Sequence, residues 1–127
     1  MDKTALVGFD VEKGSRILQI LEDAGLQVKV ALWAFLAEYD EWRLVLSSRS
    51  FDALALREAY DRLHQALDAA GLSLQETPTV VILRMNDPFV KALRKIFAKT
   101  KSVEGMRLGG QIFGDRFVED AYAYRIS

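Results

Sequence analysis

The most apolar stretch of the chain, residues 27–37, alternates in a way that predicts a buried β-strand. Val28 and Val30 would point to one face of this strand, while Trp33 and Phe35 would point to the other. Because both faces are apolar, we expect other elements to cover the strand on both sides. The segment is therefore predicted to lie at the centre of a sheet.

A second strand is predicted over residues 41–48, after a tight turn at Tyr39 and Asp40. A two-residue loop at this turn would set Trp33 opposite Leu46 on the two strands. In this register the large apolar side chains share one face, which is typical of a core: Trp33, Phe35, Trp42, Leu44 and Leu46.

Three helices are predicted from apolar positions that recur every three or four residues, over residues 10–24, about 51–70 and 88–99. Asp10 suits the N-cap of the first helix, and Gly25 suits its end. Asp87 and Pro88 suit the N-cap and the first position of the third helix. Residues 77–85 lie between the second and third helices and are predicted to form a buried strand.

The C-terminal segment has the pattern of a β-hairpin, with strands over residues 106–113 and 116–126. Gly114 and Asp115 between them predict a tight primed turn. That turn sets Gly109 and Gly110 opposite two adjacent acids, with Gly109 facing Asp120. Because glycine inside a strand usually marks a bulge or a close approach, this part of the hairpin is a candidate functional region.

The two faces of this hairpin are predicted to differ in character. One face is mostly apolar and is expected to pack on the core; besides Glu119 it carries Met106, Leu108, Ile112, Phe117, Ala121 and Ala123. The other face carries Val118 and the candidate residues for binding a ligand or partner, which are Arg107, Gln111, Asp120, Tyr122 and Tyr124. The competing interpretation is a structural Arg107–Asp120 pair beside a Gly-Gly bulge that sets the twist of the strands.

The element order (β)αββαβαββ predicts one α+β domain over residues 1–127, with three helices on a mixed sheet of five or six strands. The apolar run at residues 4–9 fits either a strand or a lead-in to the first helix. If it is a strand, residues 4–85 follow the ferredoxin-like order βαββαβ, and the last helix and hairpin extend that core. This order carries no functional information by itself.

The 127 residues contain no cysteine and one histidine, and this composition excludes several kinds of chemistry. Disulfides, thiolate metal sites and cysteine nucleophiles are excluded, and most histidine zinc sites are too. The one histidine, His64, lies between Asp61 and Asp68 on a polar helix stripe and is interpreted as a surface residue. We therefore predict no catalytic residues, no metal and no cofactor.

The net charge of −1 conceals an uneven distribution along the chain. Residues 84–107 carry seven positive and two negative side chains, so that this segment is basic and the remainder acidic. Five cations on and after the third helix are candidates for contacting a phosphate backbone: Lys91, Arg94, Lys95, Lys99 and Lys101. The competing interpretation is an ordinary solvated helix face.

The sequence thus predicts a small non-catalytic binding or accessory protein of prokaryotic type that contacts a protein through the C-terminal hairpin. The partner would be a different protein or a second copy of the chain. The absence of cysteine and of an export signal favours the cytoplasm, and no apolar stretch is long enough to span a membrane. The alternatives are a nucleic-acid-binding or processing protein that uses the basic helix, and an enzyme that binds a nucleotide or phosphate ligand around Asp120.

Overall fold

The computed structural model describes residues 8–36, 38–73 and 77–127, which form a mixed five-stranded sheet with helices on both faces. The helices are α1 (Gly8–Asp23), α2 (Arg49–Asp52), α3 (Leu56–Ala69) and α4 (Pro88–Phe97). The strands are β1 (Val28–Leu36), β2 (Glu41–Ser48), β3 (Val80–Ile82), β4 (Gln111–Phe113) and β5 (Arg116–Ile126). The predicted α+β class with a mixed sheet is confirmed, although the described ranges contain four helices where three were predicted. None of these helices is long and apolar enough to cross a membrane.

The strand order is β3-β2-β1-β5-β4, so β1 occupies the predicted central position. Only β2 and β3 run parallel, joined by a crossover that includes α3, and the other neighbours are antiparallel. Every residue of β1 except Lys29 is buried. This burial follows from the apolar character of both faces of the strand.

The two sides of the sheet carry separate cores. On one side, which we call the α4 face, Val30 and Leu32 pack with Phe89 and Leu93 of α4. On the other side, which we call the α1/α3 face, residues from both helices pack on Trp33 and its neighbours; they include Ile17, Leu21, Leu63 and Leu67. The hairpin β4–β5 borders both cores at one edge of the sheet.

The N-terminal region differs from the predicted ferredoxin-like order. Of the candidate strand at residues 4–9, Gly8 and Phe9 belong to α1, and residues 4–7 lie outside the described residues. Asp10 is therefore not the N-cap but lies in the first turn of the helix, where a carboxylate favours the helix dipole. A split βαβ unit leaves room for a strand between its parallel strands, whereas β2 and β3 are direct neighbours.

The β1–β2 hairpin has a longer loop than predicted. Trp33 lies opposite Leu44 instead of Leu46, because β1 ends at Leu36 and β2 begins at Glu41, with Asp40 at a φ of 52° between them. The register differs by two residues, which leaves every side chain on its predicted face. The aromatic face is accordingly retained, and the rings of Phe35 and Trp42 meet edge to face with centroids 5.7 Å apart.

The predicted helix at about 51–70 is divided into α2 and α3. The Ser48 side chain accepts a hydrogen bond from the Ser50 amide at 3.0 Å, which starts α2 early. The Arg84 guanidinium donates to the carbonyls of Phe51 and Leu54 at 3.0 and 2.9 Å. These hydrogen bonds satisfy carbonyl groups where α2 ends. The strand predicted at 77–85 is shorter at both ends in the structure, where β3 covers Val80–Ile82 and Arg84 lies beyond it.

Helix α4 starts at the predicted residue, but its exposed side includes an apolar residue that the spacing predicts to be buried. Asp87 caps the helix by accepting from the Phe89 amide at 2.9 Å, with Pro88 as the first helical residue. Ile96 fits the apolar stripe by spacing, but it is 56% exposed. The helix ends at Phe97, two residues earlier than predicted.

Candidate functional site

The C-terminal hairpin has the predicted turn and register. Phe113 pairs with Arg116 around Gly114 and Asp115, and beyond the short strand β4 the pairing continues to a bridge between Arg107 and Tyr122. Between these points Gly109 lies against β5: a Cβ at this glycine would come within 2.7 Å of the Glu119 carbonyl oxygen and 3.1 Å of the Asp120 Cα. The predicted apposition of glycine and acid is therefore present.

The backbone is irregular at Gly110, although Gln111 with Val118 and Arg107 with Tyr122 keep one register on either side of it. Gly110 has a φ of 67°, in the left-handed region that favours glycine, and its amide lies 2.8 Å from the Val118 carbonyl oxygen and 3.3 Å from that of Glu119. On its other side β5 shifts by one residue against β1, because Phe35 pairs with Asp120 and the next residue, Leu36, pairs with Val118. The alternation of side chains therefore changes at this point.

The change of alternation makes part of the predicted face assignment wrong. Val118 and Phe113 are buried in the core of the α4 face, whereas Ile112 and Phe117 are 68% and 47% exposed. Since Gln111 pairs with Val118, it lies on the side of Val118 and not with the other candidate residues. Ile112 and Phe117 face the opposite way, toward the side that carries Arg107 and Asp120.

Arg107 and Asp120 form an ion pair on this side of the hairpin. The Nε atom of Arg107 lies 3.3 Å from Oδ1 of Asp120, and Nη2 also contacts the second carboxylate oxygen, Oδ2. The Asp120 carboxylate accepts in addition from the Ala121 amide at 2.8 Å, and the guanidinium carbon lies 5.9 Å from the centre of the Trp42 ring. Because both side chains are partly exposed, the pair contributes about 0–1 kcal/mol to folding and remains accessible to a partner.

Tyr124 has a structural role instead of the predicted binding role. Its hydroxyl accepts from Nε1 of Trp33 at 2.8 Å and donates to the Val11 carbonyl of α1 at 2.6 Å. The helix approaches this closely because Gly14 has no side chain: a Cβ there would overlap the Tyr124 hydroxyl and lie 2.8 Å from Trp33 Nε1. Burial raises the pKa of Tyr124 to about 12. The ring of Tyr122 packs edge to face on Tyr124 at 5.4 Å.

The turn of the hairpin is fixed to the rest of the molecule. Arg116 donates to the Glu38 carboxylate at 2.6 Å, which joins β5 to the β1–β2 loop. Gly114 lies against the start of α4, where a Cβ would come within 2.5 Å of the Pro88 carbonyl oxygen. The exposed pair Ile112 and Phe117 is therefore presented by a well-supported turn.

The candidate cations of the basic segment lie at the surface. Lys91, Lys95, Lys99 and Lys101 are exposed, and none of them takes part in the ion pairs found in the described part of the chain. Arg94 is partly buried and donates from Nε to the Ser127 carbonyl at 2.8 Å. The structure thus separates Arg94, which is held in place, from four lysines without an acidic partner in the described part of the chain.

Metal binding and histidine chemistry have little support among the described residues. They contain no group of three or more histidine, cysteine or acidic side chains that could hold a metal ion. His64 is exposed on α3, as the sequence predicts.

The sequence pattern predicts Ile112 and Phe117 in the core, and the signal against that prediction was the pair Gly109 and Gly110, which marks an irregular part of the hairpin.

Comparisons with protein-family models, with curated proteins and with solved structures find no match for this chain. The candidate function therefore rests on the chain's own residues.

Proposed function

We propose that this chain is a small non-catalytic binding protein that acts through the tip surface of its C-terminal hairpin. The tip surface consists of Ile112, Phe117, Arg107 and Asp120. The observation that carries the proposal is the cross-strand pair of Ile112 and Phe117, two large apolar side chains that are both substantially exposed. Clustered exposed apolar side chains with charged neighbours are typical of protein contact sites.

The support beneath the tip surface favours binding. The contacts of Arg116 with Glu38 and of Gly114 with Pro88 hold the turn in one position. A rigid surface loses little conformational entropy when a partner covers it, so more of the contact energy remains as affinity.

We assign a second copy of the same chain as the partner of the tip surface. The tip surface combines an apolar centre with charges of both signs, since Arg107 lies on it and the exposed Asp115 and Glu119 lie beside it. In a twofold contact, a residue of one copy can meet a residue at a different position of the other copy, and the reverse contact forms as well. Arg107 of one copy can therefore face an acidic residue of the other. The net charge of −1 gives two copies little mutual repulsion.

The size of the tip surface predicts a weak association. Ile112 and Phe117 from both copies would cover on the order of 400 Å² of apolar surface, against about 1,200–2,000 Å² in a stable interface. We therefore expect a reversible dimer whose population rises with protein concentration. The cytoplasm remains our proposal for its location, and it rests on the cysteine-free sequence.

Sedimentation velocity over a hundredfold range of concentration tests this proposal. We expect the wild-type chain to shift from monomer toward dimer, and the variant Ile112→Ser/Phe117→Ser to stay monomeric. The matched control is Leu56→Ser/Ile96→Ser, which changes the other two large apolar residues that are exposed in the described part of the chain, 48% and 56% exposed. A monomeric wild type at every concentration, or equal loss of dimer in the control variant, would contradict the proposal.

The alternative of a nucleotide or phosphate ligand at Asp120 has less geometric support. Of its five residues, Gln111 lies on the other side of the hairpin and the Tyr124 hydroxyl is held by Trp33 and Val11. Thermal stabilisation of the wild-type chain by a nucleotide, together with its loss in Asp120→Ala, would support this alternative.

A further inference from the structure

A row of lysines without an acidic partner among the described residues begins at an open cleft and continues along and beyond α4. The cleft has a volume of about 600 Å³ and is lined by Asp52, Arg84, Met85, Asn86, Lys91 and Arg94. Lys91 stands at the cleft, and Lys95 and Lys99 follow at intervals of four residues. Lys91 and Lys95 lie on α4, which rises about 1.5 Å per residue, so they are separated by about 6 Å along its axis. Lys99 follows beyond the end of the helix at Phe97.

One of the two arginines of the cleft, Arg84, is held in a fixed position. Arg84 donates to the carbonyls of Phe51 and Leu54, and its Nη1 atom lies 4.0 Å from the Asp52 carboxylate, an ion pair without a hydrogen bond. That carboxylate accepts a hydrogen bond from the Met85 amide at 3.2 Å. Lys91 and Arg94 add positive charge that no acid of the described residues neutralises in an ion pair. The cleft therefore favours an anion.

We propose that α4 binds the phosphate backbone of a nucleic acid, with one phosphate in the cleft and the next phosphates along Lys95 and Lys99. This proposal stands independently of the tip surface, which lies on the hairpin. Each lysine would form a charge-assisted contact with a phosphate oxygen, and the guanidinium of Arg84 would supply a fixed donor in the cleft.

The surroundings of the row favour a nucleic acid over an acidic protein. Protein contact sites depend on apolar or aromatic anchors, and Ile96 is the one large exposed apolar residue of α4 among the described residues. Phe89 and Phe97 pack on the core of the α4 face, so neither offers a ring on which a base could stack. Binding should therefore be electrostatic and independent of base sequence.

Fluorescence anisotropy with labelled 20-nucleotide probes tests this proposal, using single-stranded DNA, single-stranded RNA and duplex DNA. With four cations on phosphates, affinity should fall roughly 50- to 150-fold between about 50 and 200 mM salt. Lys91→Glu/Lys95→Glu/Lys99→Glu should abolish binding, while Lys91→Ala should reduce the salt slope by about one. The matched control reverses three exposed arginines elsewhere: Arg16→Glu/Arg57→Glu/Arg62→Glu.

Retained binding by the control, with loss in the lysine variant, would support the proposal. No anisotropy change with any probe at low salt would overturn it, and so would equal loss in both variants. A poly-glutamate peptide that competes as well as the oligonucleotide would overturn the nucleic-acid assignment. The Ile112→Ser/Phe117→Ser variant should bind as the wild type does, which separates this result from the dimer experiment.

Discussion

The C-terminal hairpin has two ends with opposite roles. At its base, around Tyr122 and Tyr124, the side chains are packed under α1 and the Tyr124 hydroxyl is held by two partners. At its tip, around Ile112 and Phe117, large apolar side chains are exposed on a turn that is fixed from behind. The base stabilises the fold, and the tip is free to contact another molecule.

Side-chain chemistry alone does not predict which residues of this hairpin are held inside the fold and which are exposed. Tyrosine hydroxyls resemble ligand-binding groups, but a helix that approaches through Gly14 uses the Tyr124 hydroxyl as an internal link. Ile112 and Phe117 resemble core residues, but beyond the register shift between β5 and β1 they face outward. The Arg107–Asp120 pair is the part of the tip surface that lies nearest the base.

The largest effect is expected at the base, from Gly14→Ala. An added methyl group would displace the Tyr124 hydroxyl and leave Trp33 Nε1 without its acceptor, costing about 3–5 kcal/mol of unfolding free energy. The control is Gly8→Ala, at the start of the same helix, where nothing lies within 4 Å of the new methyl group. Chemical denaturation should show a large loss for the first variant and no loss for the second. Equal stability of the two variants would mean that α1 does not pack on Tyr124.

A smaller effect is expected from Tyr124→Phe, which removes the hydroxyl but keeps the ring. Since the Trp33 N–H would lose its acceptor, the unfolding free energy at neutral pH should fall by about 1–3 kcal/mol. Urea denaturation of the two proteins at one pH measures this difference.

The same pair of proteins should differ in pH dependence. The folded-state pKa of Tyr124 is raised to about 12 from an ordinary 10.0, because burial disfavours the phenolate. The stability that the neutral hydroxyl provides is therefore fully present below about pH 10 and is lost as the pH rises toward 12. The gap between wild type and Tyr124→Phe should narrow over this range, and a constant gap would show that the hydroxyl is not buried.

The smallest stability effect is expected at the part of the tip surface nearest the base, from Asp120→Asn. This isosteric change removes the charge that Arg107 contacts, and the loss should stay below about 1 kcal/mol because the pair is partly exposed. Glu41→Gln, which breaks the exposed pair with Arg43, should cost a similar amount and serves as the control. A loss above about 2 kcal/mol at Asp120 alone would make the pair a structural element of the hairpin.

Much of the architecture could be predicted from local signals in the sequence. The alternation of β1 placed it at the centre of the sheet, and Gly114 with Asp115 gave the turn and register of the hairpin. These predictions succeeded because burial on both faces and turn geometry depend on neighbouring residues.

The remaining features depend on contacts between distant parts of the chain. The division of the long helix involves Arg84, about thirty residues further along, which binds the carbonyls of Phe51 and Leu54. The outward facing of Ile112 and Phe117 accompanies the register shift between β5 and β1 at Phe35 and Leu36, which composition does not determine. The Arg107–Asp120 pair could be predicted from the hairpin register, whereas the exposed apolar pair could not.

The most direct test of the division between base and tip is an NMR dilution series on the isotope-labelled wild-type chain. We expect the amide shifts of Arg107, Ile112 and Phe117 to change with concentration, while those of Ala123 and Tyr124 stay constant. Concentration-dependent shifts centred on the base or on α4, or no change at any amide, would contradict the assignment of the tip as the contact surface.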